Sequence, residues 1–255
     1  MTNLFDLQGR TALVTGASSG FGWHFAQVLA AAGAKVVVAA RRIDRLNELC
    51  GKIAEQGGSA LATSMDVTDA DSIRAAFATA EQEFGTVSIL VNNAGISRAG
   101  LLIDLNEHDW DAVLDTNLKA VWMVAREAAV RMAAVKKAGT IINIASLLAF
   151  GTGRSLGSYM AAKAGVVQLT RAMALEWAAL NIRVNAIAPG YFPTEMTGNY
   201  FATTKGRAMI EKIPQQRVGA VHELGGPLLL LASDASAYMT GSVLTVDGGH
   251  LCASL

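Results

Sequence analysis

The stretch Leu13–Ala26, LVTGASSGFGWHFA, decides how the rest of the chain is read. It starts as a short apolar run, passes through Gly16, Gly20 and Gly22, and continues as a periodic apolar segment. A strand that becomes a helix through a glycine turn aims backbone N–H groups and the positive helix end at one point. Glycine has no Cβ to block a tight turn or to hold a phosphate away. The spacing is GxxxGxG, not the GxGxxG of the common dinucleotide fingerprint, but it meets the same physical demand. Gly16, Ser18, Ser19, Gly20, Phe21 and Gly22 are therefore the candidate pyrophosphate cradle.

Outward from this turn the chain alternates two textures. Strand-like runs begin at Thr11, Lys35, Ser59, Val87, Thr140, Ile182 and Ser242. Between them, segments such as WHFAQVLAAAG, DRLNELCGKIAEQG and SYMAAKAGVVQLTRAMALEWAAL repeat apolar residues at three- and four-residue spacing, the helical period. Apolar strands alternating with helices describe an α/β chain with a doubly wound parallel sheet covered on both faces. With no repeat or linker-like tract, residues 1–255 are expected to form a single domain. Residues 189–224, rich in Pro, Gly, Thr and aromatics, break the rhythm and are expected to form a substrate loop.

The end of the second strand selects the dinucleotide. An acid there would bind the ribose 2′-hydroxyl of NAD, and an arginine the 2′-phosphate of NADP. The sequence runs VVVAARRIDRL, with Ala40 where an acid would stand and Arg41 and Arg42 next. A guanidinium matches phosphate geometry, so NADP(H) is preferred and NAD(H) is possible. Asp44 suits the helix start instead. Asp66 and Val67 are expected at the adenine and ribose wall, and Asn92, Ala94 and Gly95 in the crevice where strand order reverses. Asn93 has two open readings, as a cofactor contact or as a fastening between strands.

At Tyr159 the sequence reads YMAAK, which sets Lys163 one helical turn from a phenol. Together with TGASSGFG, VNNAG, the asparagine of DTNLKA, Ser146 thirteen residues before Tyr159, and PG followed by PTEM, it resembles the short-chain dehydrogenase/reductase family. The likeness runs from about residue 7 to VDGGHL. It implies a seven-stranded Rossmann-like sheet and a catalytic group of Asn117, Ser146, Tyr159 and Lys163. On that reading Tyr159 is the acid toward a carbonyl oxygen and the base toward an alcohol. Lys163 would lower the phenol pKa and bind the nicotinamide ribose. Ser146 would donate to the carbonyl oxygen, and Asn117 would fix a relay water. Pro189, Gly190, Phe192 and Thr194 match the segment that holds the nicotinamide amide. In place of the family's small or polar residues stand Phe21, Trp23 and His24; the last two are read as packing.

The substrate wall is expected from Ser146, Leu147, Leu148, Phe150, Tyr191, Met196 and Tyr200, an apolar set. The stretches 97–101, 147–153 and 191–201 carry this wall and offer no clear clamp for a carboxylate or phosphate; Arg98 and Arg154 are the candidates for one but are read as facing solvent. A hydrophobic ketone or secondary alcohol is the expected substrate of an alcohol dehydrogenase or carbonyl reductase. A 3-oxoacyl carrier-protein reductase is the alternative, with Arg126, Arg131, Lys136 and Lys137 as a docking rim for an acidic carrier; a non-catalytic cofactor sensor is a third.

Composition narrows the field further. Lys+Arg and Asp+Glu balance at 21 each, so no global field favours nucleic acid or an anionic membrane. The N-terminal MTNLFDLQGR lacks a signal-peptide pattern, and PLLLLA at 227–232 is too short to span a bilayer. Cys50, Cys252 and four scattered histidines show no metal-ligand spacing. The expectation is a cytoplasmic, metal-independent enzyme acting on a small molecule. The family resemblance adds a homotetramer built through the helices of Asn117 and Tyr159 and through the last strand.

Overall fold

The computed structural model describes residues 3–253. Seven strands form one sheet: β1 (Thr11–Thr15), β2 (Lys35–Ala40), β3 (Ser59–Ser64), β4 (Ile89–Asn92), β5 (Gly139–Ile144), β6 (Ile182–Pro189) and β7 (Val243–Val246). Their spatial order is β3-β2-β1-β4-β5-β6-β7, and every neighbouring pair is parallel. Parallel neighbours need long crossovers. These are provided by α1 (Gly20–Ala31), α2 (Ile43–Glu55), α3 (Ala70–Phe84), α4 (Glu107–Leu114), α5 (Ala120–Ala134), α6 (Gly157–Trp177), α7 (Thr204–Ile210) and α8 (Gly225–Ala232). The Rossmann-like, seven-stranded expectation holds.

The apolar strand runs are explained by burial on both sheet faces. Successive strand residues point to opposite faces. Val36 and Val38 join Phe25 and Leu29 on one face, while Val37 joins Phe77 and Leu90 on the other. Burying each such side chain contributes roughly 1.5–3 kcal/mol relative to exposure.

Two helices were not legible beforehand. In α4 only Val113 is buried, so it carries little apolar period. In α8, GGPLLLLA is apolar all round, yet Leu228 and Leu231 seal the core under β5 and β6. Pro227 is tolerated there because a first-turn N–H has no helical partner to lose.

The order reversal between β1 and β4 opens a crevice at the carboxyl ends of the strands. A five-residue π-helical turn, Asp115–Lys119, joins α4 to α5 beside that crevice. No described helix is long and apolar enough to cross a membrane.

Candidate active site

A cleft of about 650 Å³ follows the carboxyl ends of β1, β2, β4, β5 and β6. At one end lies the glycine turn. Gly16 and Gly20 hold φ of 65° and 55°, where an L side chain is strained. A Cβ on Gly22 would come within 2.5 Å of the Gly16 carbonyl and the Asn93 amide. Gly22 is therefore required by helix packing, and it does not itself line the cleft. Gly16, Ser18, Ser19, Gly20 and Phe21 do. The first turn of α1 carries no acidic residue, which leaves its positive end free for an anion.

Arg41 and Arg42 border the same end. Arg42 donates to Ser18 Oγ at 3.2 Å and to Ser19 Oγ at 3.0 Å. Asp66 and Val67 form the adjoining wall. Hydrogen bonds from the Thr68 backbone N–H (2.9 Å) and hydroxyl (2.7 Å) hold the Asp66 carboxyl below its usual range. Asn93, Ala94 and Gly95 line the floor. Asn93 fastens the turn, its amide donating to the Thr15 and Gly16 carbonyls at 2.9 and 3.3 Å. Asn92 departs from expectation. It is buried in the sheet, donating to Asn143 Oδ1 at 2.9 Å, because a buried amide needs a partner more than the cleft needs a donor.

At the other end the cleft is lined by Ser146, Tyr159 and Lys163. Ser146 follows β5 and caps a short turn, its Oγ accepting from Leu148 N at 3.1 Å. Tyr159 lies in the first turn of α6, and Lys163 one turn later. Lys163 is 4% exposed and donates to the Ile144 carbonyl at 2.7 Å. The strand end that delivers Ser146 thus also anchors the lysine. Burial pushes the ammonium pKa down to about 8.

Tyr159 differs from expectation. Its pKa is raised, because burial penalises the phenolate and the opposing hydrogen bond with Ser146 is weaker. Lys163 Nζ lies 5.6 Å from the Tyr159 ring centroid and directs one hydrogen bond to the Ile144 carbonyl.

Asn117 occupies the π-helical turn, fully buried. Its Oδ1 accepts from Ile96 N and its Nδ2 donates to Ile96 O, both at 2.8 Å. The side chain therefore clamps the loop after β4 and lies behind the cleft lining rather than on it.

The last segment divides. Pro189, Gly190 and Thr194 line the cleft, with Gly190 too close to Asp247 for any Cβ. Phe192 does not line it. Its ring is 3% exposed and packs edge-on against Phe21 at 5.4 Å, since an aromatic beside the core gains more from burial.

The apolar wall is not assembled at the cleft. Leu147 and Leu148 turn into the interior, and Phe150 and Tyr200 are exposed outside the lining. Tyr191 faces a separate cavity of about 300 Å³ and stacks near His250 at 5.4 Å. Only Ser146 and Met196 of that set border the cleft. Arg98 and Glu195, from the stretches 97–101 and 191–201 expected to face the substrate, border it too, and Ile96, Asp115 and Thr116 join them without a signal in the sequence. The Arg98 side chain faces solvent as expected, 55% exposed and 3.6 Å from Asp109, while also bordering the cleft. It sits between two pinned points: Ile96, held by Asn117, and Gly100, whose N–H donates to the Ser155 carbonyl at 3.0 Å. Trp23 packs as expected, with Arg45 and Lys52 each 5.1 Å from its ring centroid.

The expected docking rim is divided, with Arg126 and Lys136 exposed. Arg131 pairs with Glu81 and Glu127, and Lys137 donates to the Thr86 carbonyl, at the edge of the sheet opposite the cleft. Antiparallel crossover helices carry their C-termini to that edge.

Residues 16–250 match a family model described as enoyl-(acyl carrier protein) reductase. The chain is 41% identical over 248 residues to 2-dehydro-3-deoxy-D-gluconate 5-dehydrogenase of Escherichia coli (strain K12), covering 97% of each protein. It is 37% identical over 243 residues to a 3-oxoacyl-(acyl-carrier-protein) reductase of Thermotoga maritima, covering 95% of this chain and 98% of that one. A crystal structure of a gluconate 5-dehydrogenase from Burkholderia cenocepacia J2315, in complex with NADP and tartrate, superposes with a TM-score of 0.94 at 36% identity. The match covers 99% of this chain and 98% of that one. The chain belongs to the short-chain dehydrogenase/reductase family.

Proposed function

We propose that this protein is an NADP(H)-dependent oxidoreductase that interconverts a ketone and a secondary alcohol with Tyr159 as acid and base. The observation that carries the reading is the convergence of Ser146, Tyr159 and Lys163 at one end of a cleft whose other end presents Arg41, Arg42 and a glycine cradle. A dinucleotide fits that cradle because the positive-φ glycines and the acid-free helix end leave room and field for a pyrophosphate. Arg41 and Arg42 would hold a 2′-phosphate, Asp66 and Val67 the adenosine, and Thr194 and Gly190 the nicotinamide side. When bound, the nicotinamide supplies or accepts hydride. Tyr159 delivers a proton to the carbonyl oxygen, or removes one from the alcohol, while Ser146 holds that oxygen. Lys163 is tied to Ile144 and keeps a positive charge beside the phenol.

For the substrate, Arg98 at the cleft supports a hydroxylated carboxylate, whose anionic end its guanidinium can bind by displacing the exposed contact to Asp109 at 3.6 Å. Relatives named for gluconate and dehydrodeoxygluconate are in keeping with this class. The hydrophobic ketone is the second reading. It is favoured by the exposed Leu102, Ile103 and Phe150 on segments flanking the site, and by Met196 in its lining.

The deciding experiment is a panel of gluconate-type acids, simple hydrophobic ketones and a 3-oxoacyl thioester, each with both cofactors, on wild type and Arg98→Ala. A sugar-acid substrate lost on Arg98→Ala supports the first reading. Rates highest on uncharged ketones and indifferent to Arg98 would establish the second. A homotetramer is proposed with it, through exposed Trp122 and Val130 of α5 and Leu175 of α6; a monomer by light scattering would refute that part.

A further inference from the structure

The guanidinium of Arg42 has a third partner besides the two serines of the glycine turn. Its Nη2 lies 3.2 Å from Glu195 Oε2, in the loop after β6. One side chain thus joins three segments that meet only at the phosphate end of the cleft, and Glu195 itself borders that cleft. The carboxylate is also delivered by a structured turn. Thr194 N donates to Thr197 Oγ1 at 2.9 Å, and the Thr197 and Gly198 amides return to the Thr194 carbonyl at 3.2 and 3.1 Å. Thr194 in turn lies across from Gly20, 3.7 Å from where a Cβ would stand.

A phosphate monoester on a ribose carries about −1.5 to −2 charges at neutral pH. It would arrive at a guanidinium already shared with a carboxylate. Two anions at one cation repel unless one withdraws, and a half-exposed ion pair is weak enough to be displaced. An unphosphorylated ribose makes no such demand on Arg42.

We propose that Glu195 is a residue that sets cofactor preference. Its carboxylate competes with the 2′-phosphate for Arg42, so it selectively weakens binding of the phosphorylated dinucleotide and leaves the unphosphorylated one unaffected. The loop after β6 therefore tempers the NADP(H) preference that the end of β2 creates. This rests on the NADP(H) reading of the cleft, and the test separates the two.

The test is calorimetric titration of 2′-phospho-ADP-ribose and ADP-ribose into wild type, Glu195→Gln, Arg42→Ala and the double variant. Glu195→Gln is expected to bind the phosphorylated ligand about 3–10-fold tighter, as loss of a competing surface charge implies. ADP-ribose should change less than about twofold, and raised salt should shrink the difference. In the double variant the gain should vanish. Unchanged or weaker binding of the phosphorylated ligand to Glu195→Gln, or an equal gain for both ligands, overturns the proposal while an Arg42→Ala loss of preference keeps the NADP(H) reading. If Arg42→Ala retains the full preference for the phosphorylated ligand, the role given to Arg42 fails and the proposal falls with it.

Discussion

Lys163, at the catalytic end, is 4% exposed and tied to a strand-end carbonyl at 2.7 Å; the Arg42 side chain, at the phosphate end, is 53% exposed and divided among Ser18, Ser19 and Glu195. Both are cations on the same cleft. Burial fixes the geometry of the first and shifts its proton affinity, which suits a group that must act on protons. Exposure leaves the second easy to redirect, which suits a group that chooses between ligands. Chemistry at one end is therefore expected to be sensitive to single atoms, and selectivity at the other to salt and to neighbouring charges.

The sharpest way to break this contrast is at the catalytic end. Ser146→Ala is expected to lower kcat by about 10²–10³-fold, the usual loss for one oxyanion donor, with the dissociation constant for NADPH changed less than about twofold. A kcat within threefold of wild type would remove Ser146 from the chemistry. At the exposed end, Arg42→Ala should weaken NADPH by about 10–100-fold at low salt, the range for a hydrogen bond to a charged group. NADH should hardly change, and the NADPH loss should diminish in high salt. Equal losses for both cofactors would erase the selectivity assigned to this end.

Stability separates the ends more gently. Asn117→Ala strips both hydrogen bonds from Ile96, and chemical denaturation should report a loss of roughly 1–3 kcal/mol. The smallest effect is a pH trend. The folded pKa of Lys163 lies near 8, below its ordinary 10.5. Below pH 8 the folded protein must bury an ammonium; between these values the unfolded chain keeps a proton that the folded chain has released. Stability therefore rises with pH in that window, by at most about 1.4 kcal/mol per pH unit. Wild type should gain on Lys163→Met from pH 8 to 10.5, and a constant difference between them would contradict the burial of the charge.

The parts of the molecule legible in advance were those in which local chemistry and tertiary role coincide. The glycine turn, the β-branched strands and YMAAK each announce themselves within a few residues, because turn geometry, sheet burial and helical spacing are local constraints. The residues expected in the substrate wall are dispersed because side-chain direction after a strand end is decided by distant packing. Leu147 and Leu148 look available in sequence, but both have core to bury against. The individual roles of Arg98 and Glu195 are hidden in the sequence for the converse reason, although both lie in stretches expected near the substrate. Their importance comes from where Asn117, Ser155 and Arg42 meet them in space, and no spacing encodes that. The same applies to Asn92, whose partner Asn143 lies one strand away.

The central claim is that Tyr159 moves the proton and does not hold the cofactor in place. Tyr159→Phe, measured by NADPH fluorescence titration and by turnover on the best substrate of the panel, tests it most directly. The account predicts a dissociation constant within about twofold of wild type and turnover reduced by about 10²–10⁴-fold. Turnover close to wild type with the phenol hydroxyl gone would contradict it.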